Sequence, residues 1–142
     1  MGLVECEFSR IVMSETNDRQ IVVLKEKDGD RKMAIAIGIF EVWAIHRTVN
    51  NEPPLRPLTH ELFGNVLDEL GVKVKRLIVS SLENDTFYGR LILEQNERIY
   101  DIDTRPSDGM ALAVQKGAPI FVDEDVLDSA STDSFSPGGD EW

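Results

Sequence analysis

The sequence is poor in the residues that most often bind transition metals or form cross-links. Its 142 residues include one cysteine, Cys6, and two histidines, His46 and His60. A single thiol excludes an intrachain disulfide and a thiol-rich metal site, and two imidazoles exclude a histidine-rich one. Free thiols are typical of reducing compartments, and we expect a cytoplasmic protein.

Long apolar runs are also missing. The longest, such as residues 34–37, have the length of a β-strand, whereas a membrane-spanning helix needs about 18 or more apolar residues. Glu5 and Glu7 stand where a secretion signal would have basic residues followed by an apolar stretch. We therefore expect no membrane segment.

Positive charge is scarce, with 15 Lys and Arg residues against 26 Asp and Glu residues and a net charge of −11. Residues 123–142 hold seven acids and no base, so residues 1–122 carry −11 + 7 = −4. Neither part attracts nucleic acid by bulk charge, so binding to DNA or RNA would be weak and would need a local cationic site or a metal. We expect one domain over residues 1–128 and a disordered acidic tail over residues 129–142.

Apolar periodicity and turn residues predict the secondary structure. Strands are predicted at 3–12, 20–26, 33–37, 72–82, 86–95, 98–103 and 118–122. Helices are predicted at 39–49, 60–70 and 106–116, with a single turn at 123–127. The pattern indicates a single compact α+β domain with a mixed or antiparallel sheet and about three short helices.

Two of the predicted helices have apolar stripes, which we assign to the core. The first stripe consists of Val42, Ile45 and Val49, widened by Phe40 and Trp43. The second consists of Leu62, Phe63, Val66, Leu67 and Leu70. Thr59 is predicted to be the N-cap of the second helix, because its hydroxyl can accept a hydrogen bond from a free amide of the first turn.

Polar residues near the predicted helix starts are the candidates for chemistry. His60 is expected at the first position of the second helix, where the helix dipole disfavours the imidazolium and favours a neutral base or ligand. A solvent-facing side chain in the first turn is an equal alternative. Glu41, in the first turn of the first helix, either complements the dipole or acts as a ligand.

The segment 101–108 concentrates carboxylates around an arginine. Asp101 and Asp103 share one face of a strand, Arg105 follows at its exit, and Asp108 lies in the first turn of a helix. One interpretation is a structural clasp around Arg105. The other is that these oxygens converge on a divalent cation while the guanidinium faces a phosphate. Residue chemistry alone favours the clasp.

Three stretches resemble the bifunctional nuclease domain family. They are the glycine and glutamate of residues 37–41, the Arg-Pro-Leu-Thr-His-Glu-Leu of residues 56–62, and the Arg-Pro-Ser-Asp core of residues 103–113 with its continuation at 118–122. The resemblance covers about residues 3–128 in the family's order. The chain departs from the family's common pattern at Ile39, Val42, Gly109 and Met110, none of which is an ionisable position.

The resemblance implies an α+β fold and hydrolase activity on DNA and RNA. The corresponding hypothesis is a metal-assisted nuclease with Glu41, His60, Arg105 and Asp108 as catalytic residues. Substrate contacts are assigned to Arg56, Thr59 and Ser107, and Mg²⁺ or Mn²⁺ to Glu41, Asp103 and Asp108. Whether the chain is an enzyme stays open, because a non-catalytic regulatory or binding module could use the same polar cluster as a structural lock.

Uncovered sheet edges also predict a homo-oligomer.

Overall fold

A computed structural model gives the fold for residues 2–14, 16 and 19–131. Its strands are β1 (Leu3–Val12), β2 (Arg19–Glu26), β3 (Lys32–Gly38), β4 (Lys73–Glu83), β5 (Thr86–Gln95), β6 (Arg98–Thr104) and β7 (Ile120–Asp123). Its helices are α1 (Ile39–Val49), α2 (Thr59–Glu69), α3 (Pro106–Lys116) and α4 (Glu124–Ala130). The predicted α+β class is confirmed, and most predicted bounds agree within one or two residues.

The seven strands form one mixed sheet in the order β3-β2-β1-β7-β4-β5-β6. Two antiparallel meanders, β1 to β3 and β4 to β6, are joined by β7, which pairs antiparallel with β1 and parallel with β4. Ile120 and Val122 are buried, so the apolar strand predicted near residue 120 is interior to the sheet.

Helix α3 is the most deeply buried helix and packs across β4 and β5 and against α1 and α2. Gly109 makes the close approach to β4 possible, because a Cβ at this position would clash with Leu77. Pro106 occupies the first helical position, and Gly117 ends the helix with a left-handed φ of 66°, in agreement with the helix predicted over residues 106–116.

The prediction that the apolar stripes of α1 and α2 lie in the core is wrong for most of their residues. Helix α2 packs chiefly against α3 and buries only Gly64 and Leu67. Its other large apolar side chains, Leu62, Phe63 and Val66, are exposed, and so is its C-cap residue Leu70. In α1, Val42 and Ile45 are buried as predicted, whereas Phe40, Trp43 and Val49 are exposed. An outer-layer helix with a neighbour on one side cannot bury a wide apolar arc.

The start of α2 also differs from the prediction. Leu58 is the N-cap and Thr59 is the first helical residue, so His60 occupies the second position. The cap comes from Glu61, whose Oε1 accepts a hydrogen bond of 3.2 Å from the N–H of Leu58. This is the carboxylate half of a capping box, which does not need a hydroxyl at the N-cap.

The predicted single turn near residue 123 is the seven-residue helix α4, which begins where Asp123 Oδ1 accepts hydrogen bonds from the amides of Asp125 and Val126. The helix continues to Ala130, two residues past the predicted domain boundary, and Ser131 forms an isolated bridge with Met33. The rest of the predicted tail, residues 132–142, lies outside the described residues. Within the described ranges, no helix combines the length and the apolar content needed to cross a bilayer.

Candidate functional site

Three helices begin around one cavity. Glu41 is the third residue of α1, His60 the second of α2 and Asp108 the third of α3. All three line a cavity of about 730 Å³ that is open to solvent. The first amides of a helix lack intrahelical partners and carry the positive end of its dipole, so three such ends favour negative charge in this cavity.

Asp108 is the centre of the polar cluster. Its Oδ1 lies 2.9 Å from Nε2 of His60, and its Oδ2 accepts a hydrogen bond of 2.9 Å from Nε of Arg105. These bonds, with that of His60 first, lower the pKa of the Asp108 carboxyl below its ordinary value. An ionised carboxylate can only accept, so Nε2 of His60 carries a proton, and a neutral ring in this tautomer has its lone pair at Nδ1.

His60 is held in place from a second direction. Its side chain is 13% exposed, and Nδ1 has no hydrogen-bond partner among residues 2–14, 16 and 19–131. Its main-chain carbonyl accepts a hydrogen bond of 3.0 Å from Nε2 of Gln115. Gly64 leaves room for this contact, because a Cβ there would overlap the Gln115 amide. The start of α2 is thereby fixed to α3, with His60 at the wall of the cavity.

Arg105 is the N-cap of α3 and the most exposed member of the cluster, at 66%. Its Nη2 donates to Oε2 of Glu41 at 3.2 Å, and its pKa is raised, chiefly by the hydrogen bond to Asp108. Nη1 makes no hydrogen bond to any described residue. The guanidinium therefore bridges two carboxylates and still presents unused donors to the solvent side of the cavity.

The predicted metal ligands are not brought together. Asp103 is 79% exposed and lies 3.7 Å from Arg90, which also binds Asp101 at 2.7 Å. Glu41 and Asp108 do share the cavity, but the guanidinium of Arg105 already occupies the place between them. Among the described ranges, no three His, Cys, Asp or Glu side chains are grouped to hold an ion. The arrangement does not fit a divalent cation, and the geometry around Arg105 is that of a clasp.

The three residues predicted to bind substrate lie in different places. Thr59 lines the cavity. Arg56 is exposed in the loop before α2, and Ser107 is only 6% exposed; neither lines the cavity.

Sequence reasoning missed the aromatic rim of the cavity, which we define as Phe40, Trp43 and Phe63. All three side chains are exposed although they were assigned to the core. For Phe63 a signal was available in the spacing. It lies three residues after His60, so the two side chains are neighbours on the surface of the same helix.

Sequence reasoning also missed Arg47, which lines the cavity and joins α1 to α2. Its Nε and Nη2 donate to the two carboxylate oxygens of Glu61 at 2.8 and 3.0 Å. These hydrogen bonds lower the pKa of Glu61, which already caps α2. A bidentate pair of this kind fixes the two helix axes on either side of the cavity.

The substitution Asp108→Asn is expected to cost about 1–2 kcal/mol of unfolding free energy at neutral pH, because it weakens two charge-assisted hydrogen bonds. The pKa of the Asp108 carboxyl is lower in the folded protein than its unfolded value of about 4. Asp108 therefore contributes to the free energy of unfolding at pH values above the unfolded pKa, and this contribution is lost as the pH falls through the folded pKa. Urea unfolding of both proteins from pH 7 to pH 2 measures this. Asp103→Asn, which changes an exposed carboxylate, is the control. A difference in unfolding free energy between wild type and Asp108→Asn that stays constant with pH would contradict the lowered pKa of Asp108.

The fold and the cavity define a class: a small α+β domain with a fixed His–Asp pair, a partly free arginine and an aromatic rim. Residues 22–134 match the Bifunctional nuclease domain, and the chain belongs to this family. It is also similar to two uncharacterized proteins from two strains of Mycobacterium tuberculosis. Each is 36% identical over 120 residues, which is 84% of this chain and 71% of the relative.

Proposed function

We propose that the cavity hydrolyses phosphodiester bonds in single-stranded DNA and RNA. The observation that carries the proposal is the His60–Asp108 pair at 2.9 Å, beside the exposed guanidinium of Arg105 in the same cavity. It joins an oriented base to an anion-binding group, the two components that hydrolysis of a phosphate diester needs. Membership of the Bifunctional nuclease domain family supports the same chemistry.

Arg105 is assigned to the phosphate. Its Nη1 donors bind the non-bridging oxygens, and the three helix starts add positive potential around them. This local site supplies the attraction that a chain of net charge −11 does not provide in bulk. We expect weak binding that falls further as salt is added.

His60 is assigned as the general base. Nδ1 takes a proton from water while the water oxygen forms a bond to phosphorus and the bond from phosphorus to the leaving oxygen breaks. The proton then passes to the leaving oxygen, which gives one phosphate monoester and one alcohol and returns the ring to its neutral state. Asp108 keeps the proton on Nε2 and stabilises the imidazolium between the two transfers.

The aromatic rim favours an unpaired strand as substrate. Exposed aromatic rings stack on nucleic-acid bases at about 1–3 kcal/mol per base, with little dependence on sequence. In a duplex the base faces are already stacked on their neighbours and are unavailable for the rim. The tolerance of stacking for any base also agrees with activity on both DNA and RNA.

The Mg²⁺ or Mn²⁺ expected from the sequence stays a prediction. Arg105 engages both carboxylates that an ion would use, so no step above involves a metal. Whether cleavage needs a metal ion is decided by measuring the cleavage rate with EDTA and with each added ion. Activity that survives EDTA supports the scheme, whereas strict dependence on an ion would contradict it and support the metal hypothesis.

Arg105→Ala is expected to lower kcat/KM on labelled single-stranded DNA and RNA oligonucleotides by about 100-fold or more. Arg98→Ala is the matched control, since Arg98 lies over the ring of Tyr100 and does not line the cavity. The assay needs wild-type protein purified to constant specific activity. Arg105→Ala and Arg98→Ala are purified by the same procedure. Equal cleavage by wild type and Arg105→Ala would remove this site from the reaction.

A second candidate function is a non-catalytic module that binds an anion or a protein segment. The observation that favours it is that Glu41, Glu61 and Asp108 each have a basic partner within 3.2 Å, as in a structural clasp. This alternative predicts cleavage no greater than in a mock purification, together with a melting temperature several degrees lower in Asp108→Asn. The oligonucleotide assay therefore separates the two functions.

A further inference from the structure

The charged groups around the cavity nearly cancel. Its lining contains two basic and two acidic side chains, namely Arg47, Arg105, Glu41 and Asp108. Glu61 adds a third carboxylate through its bidentate pair with Arg47, so with a neutral imidazole the formal charge is two positive against three negative, or −1. Each of the three helix starts contributes the equivalent of about half a positive charge. The result is a small positive excess, which favours one negative charge and is too little for two.

We propose that Glu41 is a specificity-determining residue that admits phosphate diesters to the cavity and rejects phosphate monoesters. The inference rests on the proposed function, since it assumes that Arg105 holds the phosphate. A diester carries one negative charge, whereas a monoester carries about −1.5 to −2 at pH 7, because its second pKa is about 6. The two classes of ligand therefore differ by about one charge on the same phosphate group.

Glu41 lies where its charge acts on a phosphate held by Arg105. Its Oε2 accepts a hydrogen bond of 3.2 Å from Nη2, so a phosphate on the remaining N–H groups of the same guanidinium lies beside this carboxylate. The Glu41 side chain is only 14% exposed, so solvent and salt screen its charge poorly. Gly38, the N-cap of α1, leaves the room that the carboxylate occupies, because a Cβ there would overlap it.

Asp108 is the other carboxylate on Arg105, but its charge is shared between two partners. It contacts both Arg105 and His60, each at 2.9 Å. Among the residues that the structure describes, the Glu41 carboxylate has one hydrogen-bond partner, and this is the guanidinium that a phosphate must use. Glu41 therefore carries the less compensated charge. A unit charge about 6 Å away, at an effective dielectric constant of about 20, changes affinity on the order of 10- to 100-fold.

The same charge balance affects turnover. Hydrolysis of a diester leaves a monoester on one of the two products, and this product carries the additional charge that Glu41 disfavours. It therefore leaves the cavity instead of remaining on Arg105. A terminal phosphate on an intact strand is rejected for the same reason, so the cavity is assigned to bonds between nucleotides and is expected to have no phosphatase activity.

The test compares thymidine 5′-phosphate with its methyl ester, which have the same base and sugar and differ by about one charge at pH 7. In calorimetric titrations of the full chain, the wild type is expected to bind the methyl ester about tenfold or more tightly than the monoester. The preference is expected to disappear at about pH 5, where both ligands carry one charge. The ionisable groups around the phosphate are the same in both titrations: Glu41 and Arg47 on α1, His60 on α2, and Arg105 and Asp108 at the start of α3.

Glu41→Gln removes the charge and keeps a hydrogen-bond acceptor, and it is expected to lower the preference for the methyl ester by about tenfold. Glu41→Asp keeps the charge and is expected to keep the preference. Asp103→Asn is the matched control, because it makes the same change in net charge at a carboxylate that is 79% exposed and does not line the cavity. It is expected to behave as the wild type.

Three results would overturn the proposal: equal affinity of the wild type for the two ligands, binding of neither at millimolar concentration, or the same preference in wild type and Glu41→Gln. A loss of preference in Glu41→Asp equal to that in Glu41→Gln would also overturn it, because the charge would then not be the cause. Binding is measured without cleavage, so the two proposals fail separately. A wild type that prefers the methyl ester but cleaves no oligonucleotide refutes the hydrolysis and supports the selectivity.

Discussion

Replacing His60 with alanine is expected to lower kcat for cleavage of single-stranded nucleic acid by about 100- to 10,000-fold. The loss is expected in kcat rather than KM, because the imidazole moves a proton during the reaction and the phosphate is held by Arg105.

Two comparisons separate the loss of a base from a structural defect. His46→Ala removes the only other imidazole, which packs edge-on against Trp43 at 5.0 Å and does not line the cavity, so it is expected to retain wild-type cleavage. Added imidazole is expected to restore part of the activity of His60→Ala and none of the activity of Arg105→Ala. His60→Ala with full activity, or with a loss that imidazole leaves unchanged, would contradict the role assigned to this ring.

Leu77→Ala is expected to cost about 2–5 kcal/mol of unfolding free energy, the largest effect on stability that we predict. Leu77 is fully buried on β4 between Leu91 of β5 and Ile120 of β7, and its methyl groups fill the space above Gly109. Removing three carbons there leaves a cavity that a rigid sheet cannot close. Urea unfolding measures this difference in free energy, and the slope of the unfolding free energy against urea concentration is expected to stay unchanged.

Ile99→Ala is the control for Leu77→Ala, because it removes a similar volume from an exposed position on β6. We expect it to change the unfolding free energy by about 0.5 kcal/mol or less. Since Leu77 supports α3, whose first turn carries Asp108, we also expect Leu77→Ala to lose cleavage activity at temperatures below its melting point. Equal destabilisation by the two changes would contradict the packing described for β4 and α3.

Much of the fold could be predicted because its signals are local. Asp28 and Gly29 mark the turn between β2 and β3, and Pro106 and Gly117 mark the two ends of α3. Each of these signals depends on a few neighbouring residues, and tertiary contacts leave them unchanged. The two meanders follow from the same short-range information.

The side of each outer helix that faces the core could not be predicted in this way. The row Leu62, Val66 and Leu70 has the periodicity of a buried face, yet α3 covers the side that carries Gly64 and Leu67. Periodicity shows that a row is apolar and does not show which molecule covers it. The same limit explains Trp43, which lies on α1 but borders the cavity instead of the core.

The candidate site was predictable in part. Glu41, His60 and Asp108 were singled out as polar residues near helix starts, and the fold brings all three to one cavity. Their catalytic roles stay predictions. Asp103 was expected to share a face with Asp101, which it does, but the pairing of β6 with β5 places both carboxylates beside Arg90. Which face of a strand meets a helix is fixed by the sheet as a whole.

The position of β7 has a consequence for how the chain matures during synthesis. Among the residues that the structure describes, Ile120–Asp123 form the only strand that links the two meanders in the sheet, and these four residues leave the ribosome after both meanders. Until then each meander has an unpaired inner edge of hydrogen-bonding groups, β1 in one and β4 in the other. A nascent chain stopped short of residue 120 would keep these edges open to neighbouring polypeptides, so premature termination favours aggregation over a partly working product.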